Sequence, residues 1–334
     1  MPTTQNAQSS FSIAGDPYEP GLALLCGQFV QAAYDMFRAD MENLTPPPSP
    51  SFPAGYSIVA WIVLSELFGD TESKRFSRFA AHSHADANRT ILAIRGTADL
   101  EEWWDDAHYA PVPFERPNCG NVPEGFDKIY RTMSLRLPGV QAASQTAPAG
   151  GFAMQVSDLV KSLSHSAAAP VTLCVTGHSL GSVLATYFSL EYGLDAIKYK
   201  FQDQIRLSLY TLASPRPGDG AFVAAFNALR LNSWRIINLQ DLAPWFPPGY
   251  GYTHVNTLAP PYDSSGKVRN NPGCWHALKT YLSLIDPRLL PSTECRLPST
   301  QPFVSPAALS NTEQLSHSEG PVTVNIAINI GPRE

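Results

Sequence analysis

The eleven residues Val171-Thr-Leu-Cys-Val-Thr-Gly-His-Ser-Leu-Gly181 restrict the possible folds of this chain more than any other stretch. Val171 to Val175 is β-branched and apolar and reads as a buried strand, while Val183 to Leu190 is compatible with a helix. Between them, Gly177-His-Ser-Leu-Gly181 must turn the chain sharply. Side chains flanking Ser179 would collide with the strand and the helix, so the two glycines suit the turn. Such a turn holds the Ser179 hydroxyl clear of the sheet, where a base and backbone N–H groups can reach it.

The segments around this turn supply the rest of an α/β pattern. Glu19 to Met41 carries apolar residues at helical spacing, and Pro46 to Pro53 ends that helix with a stiff connector. Tyr56 to Leu64, Phe76 to Ala81 and Thr90 to Ile94 read as strands, the last two joined by the polar turn His82 to Asn88, which suggests a β-meander at a sheet edge. Gly125 to Met133 and Met154 to Leu163 read as helices. After the elbow come the strands Leu207 to Leu212 and Arg235 to Leu239, with a helix at Gly220 to Leu229 between them. This alternation predicts an α/β class with a mostly parallel central sheet and helices on both faces. We expect an N-terminal extension over 1–18, one catalytic domain over 19–286 and a Pro/Ser-rich tail over 287–334. In the tail, the alternating Val322, Val324, Ile326, Ile328 and Ile330 predict a terminal strand at 321–331.

Composition narrows the partners. A formal net charge of -6 and the lack of any Lys/Arg run give no attraction to nucleic acid. The longest apolar run, Ile58 to Leu64, is far short of the ~20 residues that span a bilayer, so no transmembrane segment is expected. Met1 to Asp16 has neither a basic region nor an apolar core, which makes a cytoplasmic location the default and secretion the alternative. Of the five cysteines, Cys274 and Cys295 are the only pair close enough in sequence to suggest a disulfide, and Cys174 reads as a buried apolar residue.

Around a serine elbow, the acid and the histidine follow the serine in chain order. Asp241 directly follows the strand-like Trp234 to Gln240, at the carboxyl end where α/β sheets carry their chemistry. Asp195, Asp203, Asp219, Asp263 and Asp286 fall in helical or turn contexts that suit capping or solvation. Three histidines lie downstream. His317 is in the polar tail; His276 follows a loop and opens the apolar helix Ala277 to Ile285; His254 reads as part of a short strand. His276 is favoured as the base over His254. A backbone N–H and a hydroxyl at Arg95-Gly96-Thr97 would stabilise a developing oxyanion, with the Leu180 N–H as second donor. His82, His84 and Asp86 read as a solvated hairpin turn rather than a metal site, and the chemistry needs neither metal nor cofactor.

Together, Ala93-Ile-Arg-Gly-Thr-Ala-Asp-Leu-Glu-Glu-Trp103, Gly177 to Gly181, Leu212-Ala-Ser-Pro-Arg-Pro-Gly-Asp219, Asn238-Leu-Gln-Asp241 and His276 resemble the class 3 lipases of the α/β-hydrolase superfamily, over about residues 20–285. The resemblance implies Ser179 as nucleophile, Asp241 as acid, His276 as base and Thr97 with Leu180 as the oxyanion hole. It also implies a mobile lid beginning near Ala98, with Trp103 as its tryptophan; Trp103 and Trp104 read separately as loop aromatics that either line an acyl-binding groove or pack on the core. The implied activity is hydrolysis of acylglycerol fatty-acyl esters, with transient contact to a lipid interface. Phospholipase A1 or aryl/feruloyl esterase action on the same scaffold is the alternative, and a non-catalytic binding protein is a third reading. Two features depart from the family pattern: Pro123 stands where a histidine is usual, and Glu101-Glu102 makes the lid acidic, which argues against strong interfacial activation.

Overall fold

Strand alternation explains the architecture best. The computed structural model describes residues 17–68, 71–86, 88–97, 108–139, 151–163, 170–201, 203–255 and 258–298. Strands β1 (Tyr56–Phe68), β2 (Thr71–Ser83), β3 (Arg89–Ile94), β6 (Ser134–Arg136), β7 (Val171–His178), β8 (Ile205–Leu212) and β9 (Asn232–Ile236) form a seven-stranded sheet in the order β6-β1-β2-β3-β7-β8-β9. A two-stranded ribbon, β4 (Pro111–Pro113) and β5 (Asn121–Pro123), lies apart from it.

Each central strand feeds both faces. Leu92, Ile94, Leu173 and Val175 enter one apolar core, and Ile91, Ala93 and Cys174 enter the other. This is the double-sided burial that the apolar runs imply. The first core is covered by helices α2 (Glu124–Arg131), α3 (Phe152–Leu163), α4 (Leu180–Lys198) and α5 (Gly220–Ala228). The second packs beneath α1 (Pro20–Ala39) and α7 (Leu278–Ile285), with the short α6 (Pro272–His276) just before α7. Helices therefore cover both faces, as expected.

The sheet is mixed rather than mostly parallel. β3, β7, β8 and β9 run parallel, while β6, β1, β2 and β3 pair antiparallel. Short polar turns allow a meander where a helix crossover would demand parallel pairing. The meander is also not at the very edge, because β6 adds outside β1. The last strand is displaced from the expected Arg235 to Leu239: β9 begins at Asn232 and ends at Ile236. It stops there because Asn238 leaves the ladder, its N–H donating to the Tyr281 hydroxyl and its amide to Ser264 Oγ and the Trp275 carbonyl.

The compact unit runs past Pro287 to Leu297. The Cys274–Cys295 disulfide closes as the spacing suggests, and Arg269 N–H donates to the Cys295 carbonyl, so this segment is tied to the domain despite its Pro/Ser/Thr composition. The expected terminal strand at 321–331, and residues 1–16 of the extension expected over 1–18, lie outside the described residues.

Candidate active site

Ser179 occupies the apex between β7 and α4 with φ 57° and ψ -131°, a left-handed backbone that costs a non-glycine residue of the order of 1–3 kcal/mol. The elbow holds this geometry through hydrogen bonds to backbone carbonyls. Ser179 N–H donates to the Leu212 carbonyl at 3.0 Å, and the Ser182 hydroxyl lies 2.7 Å from the Gly177 carbonyl and 2.8 Å from that of Leu212. The glycines are spatial necessities. A Cβ on Gly181 would sit 2.5 Å from the Ile94 and Arg95 carbonyl oxygens, and one on Gly177 would strike the Gly181 backbone.

The same close approach brings the end of β3 against the nucleophile. Gly96 packs so tightly that a Cβ there would lie 2.8 Å from the His178 carbonyl oxygen and 3.0 Å from Ser179 Cβ. Arg95 is fully buried, donates to the Phe76 carbonyl through Nε and Nη2 and to the Gly96 carbonyl through Nη1, and stacks 3.7 Å above the Phe37 ring. Thr97 follows directly, while Leu180 opens α4, so its N–H is among the donors a helix cannot satisfy internally.

Asp241 and His276 meet as expected. His276 Nδ1–H points at the Asp241 carboxylate, 3.0 Å from Oδ1 and 2.9 Å from Oδ2. Asp241 also accepts from the Tyr281 hydroxyl at 2.6 Å and the Ala243 N–H at 2.9 Å. Burial alone would push the Asp241 carboxyl up in pKa; the His276 charge and these hydrogen bonds outweigh it, and the net shift is downward. The acid is thus held ionised where it can stabilise an imidazolium. The His276 ring stands 4.7 Å, centroid to centroid, from that of His178, the residue before the nucleophile. Ser179 Oγ, His276 Nε2 and Thr97 Oγ1 are buried with no hydrogen-bond partner among the described residues. Buried polar atoms normally have partners, and three such atoms on residues gathered at the elbow are what a site made for a reacting group leaves open.

The other candidates have structural duties. His254 Nε2–H donates to the Pro244 carbonyl at 2.7 Å; burial, with Arg235 beside it, pushes its pKa down to about 4, and only Thr253 beside it makes a bridge, to Gly218. Asp219 caps α5, Asp263 closes a turn on Ser265, and Asp286 pairs with Arg288. Asp203 is exposed. Asp195 is not solvated: it is buried and shares Arg116 with Glu191, at 2.8 and 2.7 Å. His82 and His84 bond to Thr90 and Ser57 within the meander. Trp103, Trp104 and the lid expected from Ala98 onward lie outside the described residues. Sequence reasoning missed Tyr281 and Tyr34, whose hydroxyl accepts from Gly96 N–H at 2.8 Å. A tyrosine on an apolar helix face is the one available signal, since a buried phenol needs a partner.

Comparison with known proteins bears on the family and the fold. Residues 91–251 match the family model for lipase (class 3). Phospholipase A1-II 1 of Oryza sativa subsp. indica is 30% identical over 206 residues, covering 58% of this chain and 48% of the relative. Phospholipase A1-IIgamma of Arabidopsis thaliana is 26% identical over 204 residues, covering 58% and 47%. The chain therefore spans about half the length of these relatives. A solved triacylglycerol lipase, described as having a serine protease triad as its catalytic centre, superposes with a TM-score of 0.50 at 21% identity over 75% of this chain and 81% of that one. A nonglycosylated lipase of Yarrowia lipolytica reaches 0.50 at 16% identity, over 73% and 78%. At these identities the structural likeness speaks for the α/β-hydrolase fold alone. Residues 91–251 are thus similar to the class 3 lipases, on a fold like that of the α/β-hydrolases.

Proposed function

We propose that the protein is a serine carboxylic-ester hydrolase that cleaves fatty-acyl esters through an acyl-enzyme on Ser179. The observation that carries this reading is the Asp241–His276 hydrogen-bonded pair beside an elbow serine, with Ser179 Oγ and His276 Nε2 both buried and unpartnered. His276 Nε2 takes the Ser179 proton as Oγ attacks the ester carbonyl, and Asp241 holds the tautomer and stabilises the imidazolium. The carbonyl oxygen gains its charge in front of Thr97 and the Leu180 N–H. Collapse breaks the ester C–O bond, and His276 returns the proton to the departing alcohol. Water, deprotonated by His276, then attacks the acyl-enzyme, and the fatty acid leaves as Ser179 regains its proton.

Acylglycerols are the substrates that the match to the lipase family model favours, and the names of the plant relatives favour phospholipase A1 action as the second reading. Contact with lipid is supported by the loop after Asp241. Leu242, Trp245 and Tyr250 are 51%, 61% and 61% exposed, and no Asp, Glu, Lys or Arg occurs from Leu242 to Leu258. An exposed apolar rim without charge suits an uncharged or zwitterionic lipid surface. The Cys274–Cys295 disulfide supports an oxidising compartment, and so an exported enzyme over the cytoplasmic default.

The test is labelling with a fluorophosphonate ester followed by peptide mass spectrometry, with hydrolysis of triolein and phosphatidylcholine assayed alongside. A single adduct on Ser179 and loss of both activities is expected. No adduct on Ser179 in folded protein overturns the mechanism, and hydrolysis of phosphatidylcholine but not triolein overturns the acylglycerol assignment.

A further inference from the structure

We propose that Tyr34 and His178 act as a positioning pair that locks the catalytic histidine to the oxyanion-binding end of β3. The inference rests on the reading of Ser179, Asp241 and His276 given above. It concerns two buried side chains that this chemistry does not itself use.

Four groups from distant parts of the chain line up. Gly96 N–H donates to the Tyr34 hydroxyl at 2.8 Å; that hydroxyl lies 3.0 Å from His178 Nδ1; and His178 Nε2 lies 2.9 Å from the His276 carbonyl oxygen. The two ends dictate the direction of every bond. A backbone carbonyl only accepts, so His178 must carry its proton on Nε2. Nδ1 of a neutral imidazole then only accepts, so the Tyr34 hydroxyl must donate to it, and the Tyr34 oxygen is left to accept from Gly96. The chain has one polarity and no spare proton. Burial, with His276 next to it, pushes the His178 pKa down to about 3, and burial raises that of Tyr34 to about 12, so each keeps the protonation its role requires.

The geometry bears on catalysis because of what hangs from each end. Gly96 precedes Thr97 and touches Ser179, while the His276 carbonyl ends α6 at the base of the catalytic ring. Asp241 fixes that ring at Nδ1, but only the His178 bond ties its backbone, among the described contacts, to the elbow. Oxyanion donors and proton acceptor must be spaced to well under an ångström, and a misplacement of ~1 Å costs of the order of 100-fold in rate.

The experiment is a double-mutant cycle on the full chain, using a short soluble p-nitrophenyl ester. Tyr34→Phe and His178→Phe are each expected to lower kcat by ~10- to 100-fold with KM changed less than ~2-fold. The double variant should be no slower than the worse single one, because both break the same chain. His178→Gln keeps an amide acceptor and donor in place of Nδ1 and Nε2 and should restore most of kcat; with Tyr34→Phe it closes a second cycle if His178→Phe fails to fold. Tyr187→Phe is the control. Its buried hydroxyl donates to the Pro217 carbonyl at 2.7 Å, and its loss should lower the melting temperature while sparing kcat. Wild-type-like kcat in the folded Tyr34→Phe protein, or losses that multiply in the double variant, would overturn the pair's role. A wild-type protein that neither reacts with a fluorophosphonate at Ser179 nor turns over sinks the serine mechanism instead, and the pair with it.

Discussion

On one side of Ser179 the acid and base are held by side-chain hydrogen bonds, Asp241 accepting from His276, Tyr281 and the Ala243 N–H. On the other side the end of β3 packs directly on the elbow, Gly181 admitting the Ile94 and Arg95 carbonyls and Gly177 admitting the Gly181 backbone, while Arg95 and Tyr34 bond to Gly96. The two sides should fail differently. Removing a side chain from the first takes away chemistry and leaves the fold, whereas adding one to the second takes away the fold. Construction and reactivity are thus separated within a few ångströms, and substitutions can address each alone.

The largest effects belong to the side-chain half. Asp241→Asn keeps the shape but withdraws the charge that fixes the His276 tautomer, and kcat should drop ~10⁴-fold, the scale seen in serine protease triads. His276→Ala should be at least as damaging, while His254→Ala, which loses a bond to a loop carbonyl, should keep activity within ~5-fold. Ester hydrolysis and thermal melts of the three purified variants decide the matter, and an inactive His254→Ala beside an active His276→Ala reverses the assignment. Gly181→Ala probes the other half. Its methyl would meet two carbonyl oxygens at 2.5 Å, backbone that has no rotamer to yield, so a loss of at least ~3 kcal/mol is expected by chemical unfolding. A variant of native stability would mean that the packing is looser than the contacts imply.

Tyr281→Phe comes next. It removes one of the bonds on Asp241 and leaves the His276 pair in place. A hydrogen bond to a charged group contributes ~1.5–3 kcal/mol, part of which the remaining donors recover, so kcat should fall ~10-fold. The Tyr281 bond also helps hold the Asp241 pKa down, so its loss should raise that pKa and move the acidic limb of the pH profile upward. A kcat and an acidic limb both unchanged would show that Tyr281 serves packing alone.

The contrast between the two halves also explains what could be read from sequence. Ser179, Asp241 and His276 were legible because each depends on a local signature: glycines at fixed spacing, an acid at a strand end, a histidine opening a helix. Tyr34 and Tyr281 carry no such mark, since their partners lie 62 and 40 residues away and only the packing of α1 and α7 on the sheet brings them together. The antiparallel half is a partial case: the meander from Tyr56 to Ile94 pairs as its strands and polar turn suggest, but the three-residue β6 that adds outside β1 carries no periodic signal of its own. Asp195 shows the same limit. A charged residue on a helix reads as solvated until the loop carrying Arg116 is placed against it.

Acid sensitivity should be the mildest test of the comparison, because it touches one histidine near each structure discussed: His178 in the elbow and His254 under the loop that follows Asp241. His178 is buried and His254 partly so, and their pKa values are lowered from 6.5 to about 3 and about 4. Unfolded, each binds a proton near pH 6.5; folded, each stays neutral well below that. The unfolded chain therefore holds more protons in this window, and stability present above pH 6.5 is lost as the pH falls toward the folded values. Between pH 7 and pH 6, above the range in which carboxyl groups with ordinary pKa titrate, the loss should be about 0.7 kcal/mol for each histidine. Urea unfolding at the two pH values measures it, and His254→Gln, which keeps a donor for the Pro244 carbonyl, should halve it. A stability that is flat from pH 7 to pH 6 would mean that the two rings reach solvent, and the one-way hydrogen-bond chain through His178 would then lose the neutral imidazole it depends on.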